Sequence, residues 1–293
     1  MMIDGTTMVC GVIGNPIGHT MSPLIHNFLA EKMGIHLAYL PFPVEKDRLG
    51  DAVNGAFALN MLGLNVTIPF KSDVLSLLCG IDPLAAQIGA VNTLVRKENG
   101  YYGYNTDMPG LYRAMCSDGV RIEGEKVLIL GAGGAARAVA MMLAQKEVFE
   151  IRILNRTLEK AEAIAKEIEE VTGKRIVIPM ELSAYAELPE GEKYIVIQAT
   201  NVGMYPNVDE AILTQRDFYE KVKVGYDLIY NPLETRFMKL VREAGGEAFH
   251  GFKMLLYQGI IAFELWTGTQ VSEELAKETY DYVMDHMMQA RKQ

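Results

Sequence analysis

The chain has 293 residues, of which 49% are hydrophobic and 22% charged, and its formal net charge is −9. Such a length holds one large or two ordinary domains, each able to bury a core, and the acidic balance argues against nucleic acid, whose phosphates need clustered cations. No apolar run reaches the roughly eighteen residues of a membrane span, because Glu264 interrupts GIIAFELW.

The first twenty residues carry neither the basic start nor the cleavage pattern of a signal peptide, so a cytoplasmic protein is expected. Residues 7–13 (TMVCGVI) read as a short strand. The next stretch, GNPIGHTMSP (14–23), holds two prolines, two glycines and a histidine and suits neither a helix nor a long strand. It leaves open whether the hydroxyls of Thr20 and Ser22 shape a turn or face a ligand. Helix-spaced apolar residues over 22–33 and 46–60 alternate with strands at 37–44 (LAYLPFPV) and 63–68 (GLNVTI). NTLVRKENGYYGYN then sets Asn99-Gly100 between two strand-like runs, a hairpin signal. Alternation with one hairpin predicts an α/β layer structure.

A second block opens near residue 108. A buried strand (126–130), a glycine turn and a helix make up KVLILGAGGAARAVAMMLAQ. EIRILNRT is the next strand, TLEKAEAIAKEIEEV a helix of good formers, and RIVIP, YIVIQAT and VGYDLIY three further strands. Strands alternating with helices predict a doubly wound parallel sheet. After Gly251 helices are expected over about 252–266 and 272–289, and these need not belong to the second block. Three widely spaced cysteines (Cys10, Cys79, Cys116) form no disulfide framework or zinc pattern. Five scattered histidines lack metal-ligand spacing, so no metal is expected.

The sharpest signal is LILGAGGAARA (128–138), where Gly131, Gly133 and Ala136 fit G-x-G-x-x-G/A between a strand and a helix. Gly131 permits the tight turn, Gly133 lets a pyrophosphate approach the backbone, and Ala136 allows helix and strand to pack closely. The helix N-terminus offers the phosphates free N–H groups and a positive dipole end. The other reading is a tight turn without a ligand. An NAD site usually has an acid at the end of the next strand, but here that strand runs into Asn155, Arg156 and Thr157, with Lys160 one turn on. A guanidinium, a hydroxyl and an ammonium suit a 2′-phosphate, so NADP is the expected cofactor. The alternative is a helix cap with a solvated arginine.

In the first block, polar residues gather at strand ends: Asn65, Thr67 and Lys71 in NVTIPFK, Asn92 in AVNT and Asp107 in YNTD. Interconverting an alcohol and a ketone needs a proton donor or acceptor beside the reacting carbon and fixed partners for the rest of the substrate. A lysine oriented by an aspartate serves that need. Singly, each residue also has a plain structural use: Lys71 as a solvated helix start, Asp107 as an N-cap, Asn92 as a strand-end turn.

The stretches GNPIGHTMSP, NVTIPFK, GAVNT, GYNTD, GAGGAARA, NRT, ATNVGM, YDLIYNP and GFKMLLYQG together resemble the shikimate/quinate dehydrogenase family over essentially the whole chain. The resemblance implies an N-terminal α/β substrate domain completed by the C-terminal helices (1–107 with 251–293) and an inserted Rossmann-type NADP-binding domain (108–250). It implies reversible NADP-dependent reduction of 3-dehydroshikimate to shikimate, on the pathway to chorismate and the aromatic amino acids. Lys71 and Asp107 would be the catalytic pair. Thr20 and Ser22 would grip the substrate carboxylate, with Thr67, Asn92, Tyr230 and Gln258 bonding ring hydroxyls or the carboxylate. Gly131, Ala132, Gly133, Gly134 and Ala135 would take the pyrophosphate, and Asn155, Arg156, Thr157 and Lys160 the 2′-phosphate side. Thr200, Leu228 and Gly251 would lie near the remainder of the cofactor. The expected partner is a small-molecule substrate, without nucleic acid or membrane, in a monomer or homodimer.

Two departures from the family pattern stand out. Thr20 replaces a serine, and one methyl in a pocket shifts selectivity by about 1–3 kcal/mol, which keeps a quinate or dual-specificity dehydrogenase as the alternative. Met108-Pro109 follows Asp107 where glycine is usual, and an early helical turn tolerates that proline. A catalytically idle sensor of the same ligands is the alternative from another class, against which the retention of Lys71 and Asp107 weighs.

Overall fold

In the computed structural model, which describes residues 2–290, the chain builds two units, Met1–Gly110 with Leu255–Gln293, and Leu111–Met254. The first opens with β1 (Met8–Gly14), α1 (Ser22–Lys32), β2 (Leu37–Pro43), α2 (Leu49–Ala58) and β3 (Gly63–Val66). It continues with β4 (Gly80–Ile81), α3 (Pro83–Ile88), β5 (Thr93–Lys97), β6 (Gly100–Tyr104) and the start of α4 (Asp107–Ser117). Its six strands lie in the order β2-β1-β3-β5-β6-β4. β1 pairs in parallel with both β2 and β3, while β5 runs antiparallel to β3 and β6.

The hairpin forms one residue earlier than Asn99-Gly100 suggests: Lys97 pairs with Gly100, so Glu98 and Asn99 make the loop. Gly100 is itself a strand residue at φ +147°, a conformation that glycine adopts without strain. β3 ends at Val66, two residues short of the expected strand, because Thr67 begins a turn closed by Phe70 N–H donating to Thr67 O (2.9 Å). The short helix α3 lay outside the sequence expectation, yet its signals are local. Asp82 accepts from Leu84 N (3.0 Å), Pro83 takes the first helical position and Gly89 ends the helix at φ +68°.

The last two helices, α9 (Phe252–Thr267) and α10 (Glu273–Ala290), follow the second unit in sequence. Trp266 of α9 donates its Nε1–H to Leu94 O of β5 (2.8 Å). On α10, Tyr282 stacks on Phe28 of α1 at 4.2 Å, and Glu278 pairs with Lys32. No described helix is long and apolar enough to cross a membrane.

The second unit contains β7 (Lys126–Leu130), α5 (Gly134–Gln145), β8 (Glu150–Asn155), α6 (Leu158–Thr172), β9 (Val177–Glu181), β10 (Tyr194–Gln198), α7 (Arg216–Tyr219), β11 (Val222–Asp227), α8 (Arg236–Glu243) and β12 (Glu247–His250). All pairings are parallel, in the order β12-β11-β10-β7-β8-β9. This is the doubly wound arrangement, with the switch of direction between β7 and β10. Buried Ala161, Ile164 and Ile168, spaced three and four apart, turn one stripe of α6 inward. β12, reached through α8, adds an edge strand beyond those expected from sequence. β11 stops at Asp227, short of the expected Tyr230, because the Asp227 carboxylate takes Ile229 N–H (3.0 Å) from the ladder.

Candidate active site and nucleotide site

In the first unit, Lys71 leaves the turn after β3, where its carbonyl accepts from Val91 N (2.8 Å) and Ser72 Oγ donates to Gly89 O (3.2 Å). These bonds fasten the Lys71 segment to the one that carries Asn92. Asp107 is the first residue of α4 but does not cap it, contrary to its plain structural reading. Asn105 Oδ1 accepts from the amides of Asp107 (3.1 Å) and Met108 (3.4 Å), and this leaves the Asp107 carboxylate uncommitted to the helix end. Its Oδ2 lies 2.7 Å from Lys71 Nζ, and its Oδ1 accepts from Asn92 Nδ2 at 3.0 Å. The side chains of Lys71 and Asp107 stay 32% and 19% exposed, within reach of a small molecule. Pro109 is the third residue of α4, where an N–H would have no helical partner.

Gln258 joins this group from α9, its Oε1 3.4 Å from Asn92 Nδ2. The approach depends on Gly110, since a Cβ there would stand 2.6 Å from Gln258 N. Thr20 and Ser22 form a second group. Their hydroxyls are 3.2 Å apart at the start of α1, whose first turn has no side-chain cap. Two hydroxyls beside an uncapped helix N-terminus suit an anion. Thr67 shares the turn that leads to Lys71 and donates its backbone N–H to Ile13 O (3.0 Å). Tyr230 belongs to the second unit, just after β11, and is 37% exposed.

A layer of buried polar side chains lies behind these groups. Asn65, grouped by sequence with Thr67 and Lys71, is only 5% exposed and accepts from Tyr39 OH (2.7 Å). Thr93 and Thr106 continue the layer toward Asn92. Nothing in residue type or spacing separates these from ordinary strand-end residues, because their partners lie far apart in the chain.

In the second unit the residues nominated for a cofactor gather at the carboxyl ends of the strands, with Gly134 and Ala135 opening α5 and Lys160 in the first turn of α6: Gly131 after β7, Asn155 ending β8, Thr200 after β10, Leu228 after β11 and Gly251 after β12. Gly131 has φ +108°, and a Cβ on it would stand 2.5 Å from Thr200 Cγ2. Gly133 and Gly134 have open space where a side chain would be, and Ala136 is fully buried. The turn therefore leaves a bare backbone cradle at the N-terminus of α5, as a pyrophosphate requires. Arg156 and Lys160 are exposed and make no ion pair among the described residues, whereas Arg137, Arg152 and Lys126 are committed to Glu167, Glu150 and Glu192. The free pair of cations follows β8, where a 2′-phosphate would be read. The residues present fit NADP.

Two buried groups shape this edge and carried no sequence signal. Gln198 accepts from Thr200 N (2.6 Å) and Thr200 Oγ1 (2.8 Å) and donates to Val202 O (3.0 Å), so it folds the ATNVGM segment around itself. Asp227 holds Ile229 N through Oδ1 and Thr235 Oγ1 (2.6 Å) through Oδ2, which ties both ends of the loop that carries Leu228 and Tyr230. Burial pushes its carboxyl up to about 6, against the pull of those two bonds. Gly251 packs so closely that a Cβ would stand 2.2 Å from Leu228 O. Among the described residues no cluster of three or more His, Cys, Asp or Glu is placed to hold a metal ion.

Three family models match the chain: the shikimate dehydrogenase substrate binding domain over residues 12–94, shikimate/quinate 5-dehydrogenase over 115–205, and the shikimate 5′-dehydrogenase C-terminal domain over 251–279. A shikimate dehydrogenase (NADP+) of Methanocaldococcus jannaschii is 41% identical over 276 residues, covering 94% of this chain and 97% of that protein. Among solved structures, the shikimate 5-dehydrogenase of Listeria monocytogenes in complex with shikimate and NAD superposes with a TM-score of 0.87 at 34% identity, covering 95% of this chain and 98% of that one. A shikimate dehydrogenase in complex with NADP+ gives 0.86 at 40% identity, covering 97% of each chain.

Proposed function

The chain belongs to the shikimate dehydrogenase family, and on that premise we propose that it catalyses the reversible, NADP-dependent reduction of 3-dehydroshikimate to shikimate. The observation that carries the reading is the Lys71–Asp107 pair, 2.7 Å apart, with Asn92 on the second carboxylate oxygen. NADP, when bound, supplies hydride exchange at the reacting carbon. The protein's task at that carbon is the proton. The Lys71 ammonium gives one to the oxygen as the ketone becomes an alcohol, and the neutral amine takes it back in the reverse direction. Asp107 aims the ammonium. Asn92 and Gln258 offer fixed partners to ring hydroxyls, and Thr67 joins them; the resemblance to the family assigns Tyr230 to the same substrate. The hydroxyls of Thr20 and Ser22 hold the carboxylate.

On the cofactor side, the Gly131–Ala135 backbone would hold the pyrophosphate, with Asn155, Arg156, Thr157 and Lys160 at the 2′-phosphate. Thr200, Leu228 and Gly251 would border the remainder. Uncommitted Arg156 and Lys160 support NADP over NAD. A steady-state assay that crosses shikimate and quinate with NADP+ and NAD+ tests substrate and cofactor together. Shikimate with NADP+ is expected to give the highest kcat/KM, and a preference for quinate or for NAD+ overturns the corresponding half of the proposal.

A further inference from the structure

The amide of Asn92 meets the Asp107 carboxylate only if its NH2 end faces that way, so whatever fixes the amide also fixes the catalytic pair. Three donors stand within reach of Asn92 Oδ1: Thr106 N–H at 2.8 Å and Thr106 Oγ1 at 3.2 Å, from the approach to α4, and Thr93 Oγ1 at 3.1 Å, from β5. The Thr93 hydroxyl has one proton, and the donors around it decide where that proton goes. Asn65 Nδ2 donates to Thr93 Oγ1 (3.0 Å), and Asn65 is held in that sense by Tyr39 OH, which donates to its other end at 2.7 Å. Thr106 Oγ1 receives an N–H of Asn92 (3.0 Å) and lies 3.2 Å from both Thr93 Oγ1 and Asn92 Oδ1, either of which can take its single proton. When Thr106 gives its proton to Thr93, the lone pairs of Thr93 are filled and its own proton goes to Asn92 Oδ1, 3.1 Å away. Every member is satisfied in that arrangement, and every member is buried: Tyr39, Asn65, Asn92, Thr93 and Thr106 are each no more than 5% exposed.

We propose that Thr93 is a positioning residue whose hydroxyl, oriented by Asn65, fixes the plane and sense of the Asn92 amide and through it the Asp107 carboxylate that aims Lys71. This rests on the proposed dehydrogenase reaction. Without Thr93, the donors that remain to Asn92 Oδ1 both belong to Thr106, and neither ties the amide to β5. The Thr93 hydroxyl adds the anchor from β5, at a depth where water cannot substitute for it.

Thr93→Val keeps the shape and deletes the hydroxyl, whereas Thr93→Ser keeps the hydroxyl. In Thr93→Val, kcat is expected to fall about tenfold or more, with a raised shikimate KM and an unmoved NADP+ KM. Thr93→Ser is expected to stay within about threefold of wild type. If Thr93→Val does not fold, Thr93→Ala against Thr93→Ser puts the same question, since those two differ by one hydroxyl oxygen. Wild-type kinetics in the variant without the hydroxyl, equal losses in the variants with and without it, or an NADP+ KM that rises in step each overturn the proposal. Wild type and Lys71→Ala are assayed beside them. A wild type inert toward shikimate defeats the dehydrogenase reading itself, whereas a Lys71→Ala loss without a Thr93→Val loss defeats only the role of Thr93.

Discussion

Lys71 and Asp107 are separated by 35 residues in sequence and by 2.7 Å in space, and each has little else to do in the fold. Removing the Lys71 ammonium deletes the proposed proton donor and leaves Asp107 and its Asn92 bond in place. Lys71→Ala is therefore expected to lower kcat by about 10²–10⁴-fold, while shikimate binding, followed by calorimetry, persists. Turnover near the wild-type rate would take Lys71 out of the chemistry. Both residues were legible in the sequence because their types suit the chemistry and their neighbours match the family. Thr93 and Thr106 were not, and Asn65 was noted only as one of the polar residues at the end of its strand. Each looks like an ordinary polar residue near a strand end, and what sets them apart is mutual contact across 13 to 28 positions, which spacing alone does not reveal. Asn105 was hidden differently: its capping bonds are local, but sequence offers Asp107 as an equally good cap.

The β7–α5 turn shows what can be read at the level of an element. The glycines of 128–138 were legible, but their tasks differ in a way that coordinates expose. Gly131 sits at φ +108° with Thr200 Cγ2 in the path of any Cβ, so Gly131→Ala is expected to cost stability, about 1–3 kcal/mol in backbone strain alone. Gly133, at φ −89° with open space around it, accepts alanine without strain. Its added methyl occupies the path of a pyrophosphate, so Gly133→Ala is expected to keep the wild-type Tm and raise the NADP+ KM. Thermal melts and cofactor titrations of the two variants separate these effects, and a Gly133→Ala protein that binds NADP+ normally would remove the cradle from the proposed cofactor site. Elsewhere, hydrophobic period placed most helices and strands, and the errors fell at ends. β3 and β11 are shorter than their apolar runs because Thr67 turns the chain and Asp227 captures an amide, and neither event alters hydrophobicity.

At the scale of the whole chain, the two units carry separate apolar cores, one including Ile13, Val53, Phe70 and Leu94, the other Leu128, Val196, Phe218 and Phe237. Their buried titratable groups respond to acid in opposite senses. In the first unit, burial lowers the pKa of His26 to about 3, with Asn65 opposing. The unfolded chain thus takes up a proton from about pH 6.5 downward while the folded one does not, and stability present above pH 6.5 is lost as pH falls toward 3. In the second unit Asp227, with a folded value of about 6 against 3.8, works the other way: its contribution is full below 3.8 and is lost as pH rises through 6. His250, whose pKa burial lowers, partly offsets it there. Between pH 7 and 4.5, His26 costs the first unit about 3 kcal/mol, while Asp227 adds about 2 kcal/mol to the second. The single tryptophan, Trp266, lies in the first unit with its ring 5.1 Å from His26, so its fluorescence reports that core alone. On acidification the Trp266 thermal transition is expected to fall on the order of 10 °C, further than the transition followed by far-UV circular dichroism, which sums both units. His26→Gln removes the titration and should flatten the pH dependence of the fluorescence transition whatever its cost at pH 7. Fluorescence and dichroism transitions that move together, or a His26→Gln protein as acid-sensitive as wild type, would show that His26 does not govern the acid stability of the first unit.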